Sequence, residues 1–592
     1  EGIKVSGRLT DTKEIDRAVS LTFALPVDAD NWKWGDYIRS AQTIQTGQAG
    51  HVFTNSDPVD FETGAMSIYP ISAIYDEQGN KSLSMGLDYG KPAHYRLDYN
   101  GGTKQLLITF EFGLAPDTAN FPSSADFSFV IYRFDADWGF RSAFDQYTKL
   151  FPEYYTVRIQ DQGIWMPFKP IGALPDWQDF GFKFKEGDDD AADTLFSNQN
   201  DILVFHYEEL GSWWQPLDPE EDKTIANAIA VRDAEALNGD EKSQMGQSAA
   251  MLNSAGSPYL RWVDVPWNSG ALWMINANPD LPGTTNGYKI YYSEEKLEDR
   301  YDTPPSAPKT NGEYLDTLDG WPYAMNFNRA HFPYAIAPLT FSKLNYKPAV
   351  HRGFTNWEAT KRIADRMHSM DNFTMANGTP HSYSIYTPWL DAMGIERNWL
   401  GASDSFAPDG DEILSKYRTL AYQKPFLMLQ NTDFSKFSYE HMKKYMQRSL
   451  FYGIFPSAFS PNASNTSNYW VACDSTPGCV EYFERDRDLF VQYVPVIKEV
   501  AEAGWEPLTY AESSNASILV ERYGRGSAVY LTLMNESTTT NSAVISFAPG
   551  SLGINGSPST TEMLSGSPVA ITNNTFAVSI NPGEVKVVKI VS

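Results

Sequence analysis

Between residues 160 and 505 the chain repeats one pattern: a short apolar run, a polar loop, then a stretch with helical spacing. Runs at 163–168, 202–207, 271–276, 312–316, 348–351, 372–376, 399–402 and 425–430 are too short for buried helices and are apolar on both alternations, as strands covered on both faces must be. Strands alternating with helices build a parallel sheet, and eight of them predict a (β/α)8 TIM-like barrel whose long loops rise from the C-terminal strand ends. The run at 399–402 is the weakest, and 452–456 is an alternative to one of the last two.

The flanks read differently. Residues 1–137 carry alternating segments at 18–25, 104–112 and 127–133, separated by turn clusters at 77–80 and 99–102, which predicts an N-terminal β-sandwich. In 138–159, Phe140, Phe144, Tyr147 and Leu150 recur at helical spacing before Pro152, giving a connecting helix or linker. A helix at 489–503, capped by Gly504 and containing Pro495, closes the 160–505 barrel. Alternation then returns in 506–592 as a small C-terminal β-sandwich. The expected fold class is multidomain α/β plus all-β, a central barrel flanked by two sandwiches.

Composition narrows the partners. Of 592 residues 42% are hydrophobic, enough for several cores, and a net charge of −27 repels phosphate backbones and anionic lipid surfaces. Nucleic acid is excluded as a partner, and no apolar run approaches the roughly 18 residues of a membrane span. Glu1-Gly2-Ile3-Lys4 lacks the basic and apolar regions of a signal peptide, so the chain reads as cytosolic or as a trimmed product. Two features favour the trimmed product of a secreted, extracellular or periplasmic protein. Cys473 and Cys479 flank a Pro477-Gly478 turn that can close a disulfide loop, and eight glycosylation tripeptides begin at Asn372, Asn377, Asn462, Asn465, Asn515, Asn535, Asn555 and Asn573.

Chemistry in a barrel is sought at the strand C-termini. The fourth run ends Glu313-Tyr-Leu-Asp-Thr-Leu-Asp-Gly-Trp321, where alternation puts Asp316 on the same face as Tyr314 with Asp319 just above. The fifth leads from His351 into Thr355-Asn-Trp-Glu358, so Glu358 can rise beside Asp316. Carboxylates about 5–5.5 Å apart suit retaining glycoside hydrolysis, and about 6.5–9.5 Å suit inversion. The same rim holds Glu208, Trp213, Trp214, Trp321, Trp357, Asn377 and Asp391, carboxylates, amides and flat rings of the kind that bind sugar hydroxyls and C–H faces. Structural readings compete: Asp319-Gly320 as a turn, Asp316 as a cap, Glu358 as a first-turn residue, each Trp as core. No nucleophile elbow, P-loop, dinucleotide fingerprint or His-Glu-x-x-His spacing occurs. Asp188-Asp-Asp190 and Asp409-Gly-Asp-Glu412 can hold Ca²⁺ but lack the EF-hand pattern and read as solvated loops, so no metal or cofactor is expected.

This layout resembles that of multidomain retaining α-glycosidases, among them the α-galactosidases and endo-α-N-acetylgalactosaminidases. In the latter an Asp closing strand four is the nucleophile and a Glu closing strand five the acid/base. The resemblance implies these roles for Asp316 in Tyr-Leu-Asp-Thr-Leu-Asp-Gly and Glu358 in Thr-Asn-Trp-Glu, although the residues around Glu358 depart from the family pattern. The reading of the whole sequence is a secreted glycoside hydrolase acting on a polysaccharide or glycan, with Asp319, Glu208 and Asp391 binding hydroxyls or tuning the pair and His351 and Asn377 binding substrate on the same rim. The rival readings are an inverting enzyme using Glu208 or Asp391, and a non-catalytic carbohydrate-binding or structural glycoprotein.

Overall fold

The computed structural model describes residues 2–47, 50–304, 307–401, 404–460, 469–473, 479–556 and 558–592. Its central feature is an eight-stranded parallel sheet whose strands follow one another in chain order. These are β1 (Ile164–Pro167), β2 (Phe182–Glu186), β3 (Leu203–Glu208), β4 (Gly312–Leu315), β5 (Phe373–Asn377), β6 (Ala392–Arg397), β7 (Phe426–Asn431) and β8 (Phe455–Phe459). The first and last strands meet, with the Ser457 hydroxyl donating to the Trp165 carbonyl and the Phe168 and Phe459 rings 6.2 Å apart. The fold is a TIM-like barrel, with a sandwich in the chain before it and another after it.

Four corrections to the expected strands follow. The run at 271–276 lies in Asn268–Met274, the middle strand of an antiparallel sheet with Ser212–Pro216 and Leu260–Val265, inside the long insertion between β3 and β4. It imitates a barrel strand because both its faces are covered: Ala271 and Trp273 pack on Ala228, Met245 and Ala249, while Leu272 and Met274 pack with Met251. The run at 348–351 is a strand, Pro348–His351, but of an antiparallel sheet with Met325–Asn326 and Thr340–Phe341. No strand covers the described residues near 399; β6 starts at Ala392, and the alternative run near 455 is β8. The strand that alternation missed is β2, Phe-Lys-Phe-Lys-Glu, whose Lys185 is buried against Asp193 at 3.3 Å and whose Glu186 accepts from the Trp165 indole at 2.9 Å.

Contacts divide the chain into two compact units, Glu1–Tyr154, Tyr207–Pro305 and Glu313–Leu390 in one, and Tyr155–His206, Ser306–Gly312 and Asp391–Ser592 in the other. The first contains the N-terminal sandwich, a six-stranded and a four-stranded antiparallel sheet. Gln105–Leu114 pairs with Arg17–Pro26 and sends Leu106, Ile108, Phe110 and Phe112 into the core. The expected helix is Gly139–Leu150, which buries Phe140, Phe144 and Tyr147. The second contains the C-terminal sandwich, a six-stranded and a three-stranded sheet around Val529, Leu531, Ile545, Phe576 and Val588. Its long helix, Tyr482–Ala503, starts seven residues before the expected one and carries Pro495 inside it.

Cys473 and Cys479 are disulfide-bonded, with Cα atoms 5.8 Å apart. Asn377 and Asn535 are buried with their amides hydrogen-bonded, which disqualifies both as glycan acceptors. Asn462 and Asn465 lie outside the described residues. Among the described residues no helix is long and apolar enough to cross a membrane.

Candidate active site

The first unit brings three consecutive strand ends together around one carboxylate. Asp316 follows β4 directly, and its amide donates to the Glu208 carbonyl on β3 at 2.8 Å, which fixes the level of the two strands. Its Oδ2 accepts from the Tyr207 hydroxyl at 2.9 Å and the Thr317 hydroxyl at 3.0 Å, and its Oδ1 from the Asn377 amide, the last residue of β5, at 2.9 Å. Three neutral donors thus hold a half-buried carboxylate that makes no ion pair among the described residues. The Tyr207 ring stacks on Tyr314 at 5.6 Å, so the alternation that put Tyr314 and Asp316 on one face also brings Tyr207 to it.

That alternation sorts the neighbouring acids. Glu313 points away and is held by Arg300 at 2.7 Å and Tyr301 at 2.8 Å. Glu208, expected at the rim, is out of phase with Tyr207; its charge acts on the half-buried Tyr291, as does that of Glu209, and on the buried Tyr292. The acid in phase with Tyr207 is Glu209, which sequence reasoning passed over. It is buried, its Oε2 accepts from the Trp214 indole at 2.7 Å, and its Oε1 accepts from the Trp321 indole at 2.8 Å. Burial, and then the negative charge of Asp316, push its carboxyl up to about 7. Trp214 and Trp321 meet edge to face at 6.1 Å, and Trp214 meets Trp267 likewise at 5.8 Å.

The other expected residues fall elsewhere. Glu358 does not rise from a barrel strand: it stands in the helix Arg352–Ser369, accepts from Asn278 at 2.9 Å, and has the Arg362 guanidinium at 3.7 Å. Burial, then the charge of Asp280, push it up to about 9; Asp316 is not among the charges acting on it. It borders a small pocket lined by residues such as Leu339, Val350 and Phe354. His351 caps that same helix, its Nδ1 accepting from the Gly353 amide at 3.1 Å, and burial pulls it down to about 4. Asp319 anchors the loop after β5, its Oδ2 accepting from the amides of His381 (2.7 Å) and Ser382. Trp213 is core, stacked on Trp273 at 5.8 Å, and Trp357 is core against Trp389 at 6.0 Å. In the second unit Asp391 precedes β6, which puts it at the N-terminal end of that strand, paired with Arg158 at 3.3 Å.

The two acidic clusters serve local structure. Asp188 holds His206 and Thr310, each at 2.9 Å; Asp190 caps the helix Ala191–Gln199; Asp409 holds Arg397 and the Trp399 indole.

No family model matches this chain, and no curated protein matches it. Among solved structures it is similar to the GH36 α-galactosidase AgaA from Geobacillus stearothermophilus, with 9% identity over 97% of this chain and 76% of that chain and a TM-score of 0.48. It is also similar to the α-N-acetylgalactosaminidase NagBb from Bifidobacterium bifidum in its GalNAc complex, with 10% identity, 92% and 84% of the two chains and a TM-score of 0.44. An Anoxybacillus α-amylase is similar at 10% identity, over 76% of this chain and 90% of that chain, with a TM-score of 0.39.

Proposed function

We propose that the protein is a glycoside hydrolase that cleaves a glycan or polysaccharide with retention, using Asp316 as nucleophile and Glu209 as acid/base. The observation that carries this is the pair itself: an ionisable carboxylate fixed by three donors at a barrel strand end, and a second carboxyl pushed towards neutrality by burial and by the first one's charge. Asp316 Oδ attacks the anomeric carbon as protonated Glu209 gives its proton to the leaving oxygen; Glu209 then takes a proton from the water that breaks the glycosyl–Asp316 ester. The two indole N–H groups on Glu209 hold its carboxyl in one orientation through both steps. The Glu358 role implied by the resemblance is replaced, since its partners are Asn278 and Arg362. The Cys473–Cys479 bridge supports an oxidising compartment, hence secretion or a periplasmic location.

The test assays Asp316→Asn, Glu209→Gln and Glu358→Gln against a panel of α- and β-linked glycosides, with azide added. The first variant is expected to be inactive, the second to recover turnover of an activated aryl glycoside with azide, and the third to keep wild-type turnover within a few-fold. Loss of activity in Glu358→Gln with retention in Glu209→Gln would reverse the assignment.

A further inference from the structure

We propose that Trp214, Trp321 and Trp267 form a strip that holds successive units of a glycan chain running outward from Asp316, so that the site takes an oligomer or polymer rather than a single terminal sugar. This deepens the glycosidase reading and rests on it. The strip is graded: Glu209 beside Asp316 is buried, Trp214 and Trp321 bonded to it are half-buried, and Trp267 is 53% exposed. Its ring-to-ring steps of 6.1 and 5.8 Å are on the scale of successive sugar rings in a chain.

The two inner rings are fixed, because a single buried carboxylate accepts both indole N–H groups; pre-set rings lose little freedom when a ligand arrives. Trp267 sits in the tight turn between Leu260–Val265 and Asn268–Met274; the sheet is packed on both faces, Trp213 and Trp273 stacking on one and Trp214 and Trp321 lying against Met251, Leu272 and Met274 on the other. Trp267 lies at the outer edge of that second face, touching Trp214 and leaving 53% of its surface to solvent. Arg261, exposed on the edge strand, lays its guanidinium 5.2 Å from the Trp321 ring centre and makes no ion pair among the described residues. Its planar fork of donors suits pairs of hydroxyl or carboxylate oxygens. Aromatic faces for C–H surfaces beside fixed donors for oxygens are the two features a sugar chain needs.

The experiment titrates Asp316→Asn protein with linear α- and β-linked neutral and uronate oligosaccharides, from monosaccharide to hexasaccharide, on an array and then by calorimetry. Affinity is expected to rise with chain length in at least one series, and Trp267→Ala to cut the gain of the longer chains about tenfold, the scale of one lost ring contact. Leu237→Ala, which removes another exposed apolar side chain, 89% exposed at the C-terminal end of the helix Ile225–Leu237, serves as the control and should keep the wild-type length dependence. Affinity independent of length, a gain unaffected by Trp267→Ala, or no binding of any oligosaccharide overturns the strip. Length-dependent binding with no hydrolysis by the wild-type protein keeps the strip and removes the glycosidase reading; hydrolysis with flat length dependence does the reverse.

Discussion

Tyr207, Glu208 and Glu209 are consecutive, and a side-chain period of two decides which of them face Asp316. Tyr207 reaches it by a hydrogen bond and Glu209 by its charge, while Glu208 falls on the other alternation. The same rule was legible in the sequence, where it placed Asp316 with Tyr314; applied one strand earlier it would have chosen Glu209. What the sequence could not reveal is the pair of indoles, because Trp214 and Trp321 lie far apart in the chain and converge only through the fold. On the proposed mechanism Asp316→Asn removes the attacking oxygen and should lower kcat by about 10³-fold or more with little change in melting temperature. Glu209 must hold a proton to donate it, and its carboxyl loses that proton as pH rises through about 7. Activity should therefore fall on the alkaline side of neutrality in the wild type, and that limb should vanish from the pH–rate profile of Glu209→Gln.

At the scale of elements, the helix Arg352–Ser369 shows how a carboxyl in a suggestive motif can belong to packing. Glu358 is protonated in the folded protein up to about pH 9 but ionises near 4.5 once unfolded. The unfolded state then binds fewer protons between those values, so this group's contribution to stability is complete below about 4.5 and is lost as pH rises towards 9. Urea unfolding at pH 5, 7 and 9 should show Glu358→Gln gaining on the wild type with each step; a constant gap would contradict the buried neutral state. The loop after β4 carries a second constraint. Gly320 has φ +83°, and a Cβ there would lie 2.0 Å from an Arg352 guanidinium nitrogen that also donates to the Trp321 carbonyl. Gly320→Ala should cost more than about 1 kcal/mol and disturb Trp321, seen as loss of both stability and glycan affinity. The strands at 271–276 and 348–351 were misread for a physical reason: a strand buried on both faces has the same apolar run in an antiparallel insertion as in a barrel. Conversely β2 escaped notice because Lys185 and Glu186 are buried as partners of Asp193 and Trp165, which no hydropathy pattern anticipates.

At the scale of the molecule, the order sandwich, barrel, sandwich was readable from the change of period along the chain, since sheets with one solvated face alternate and barrel strands do not. The membership of the barrel was less readable, because the insertion between β3 and β4 contributes strands and helices of its own. The Cys473–Cys479 pairing was readable from the spacing of the two cysteines, although Pro477-Gly478 between them lies outside the described residues. With a separation of only six residues it closes a short loop, so reduction should lower stability by about 2 kcal/mol or less and leave turnover unchanged.

All of these features converge on one carboxylate with a second acid beside it, and the stereochemistry of the product tests that arrangement most directly. Proton NMR of the wild-type protein turning over a glycan from the panel would record the first anomer released, before mutarotation. The account predicts the anomer of the substrate, lost in Asp316→Asn; the opposite anomer, or no product from any glycan, would contradict it.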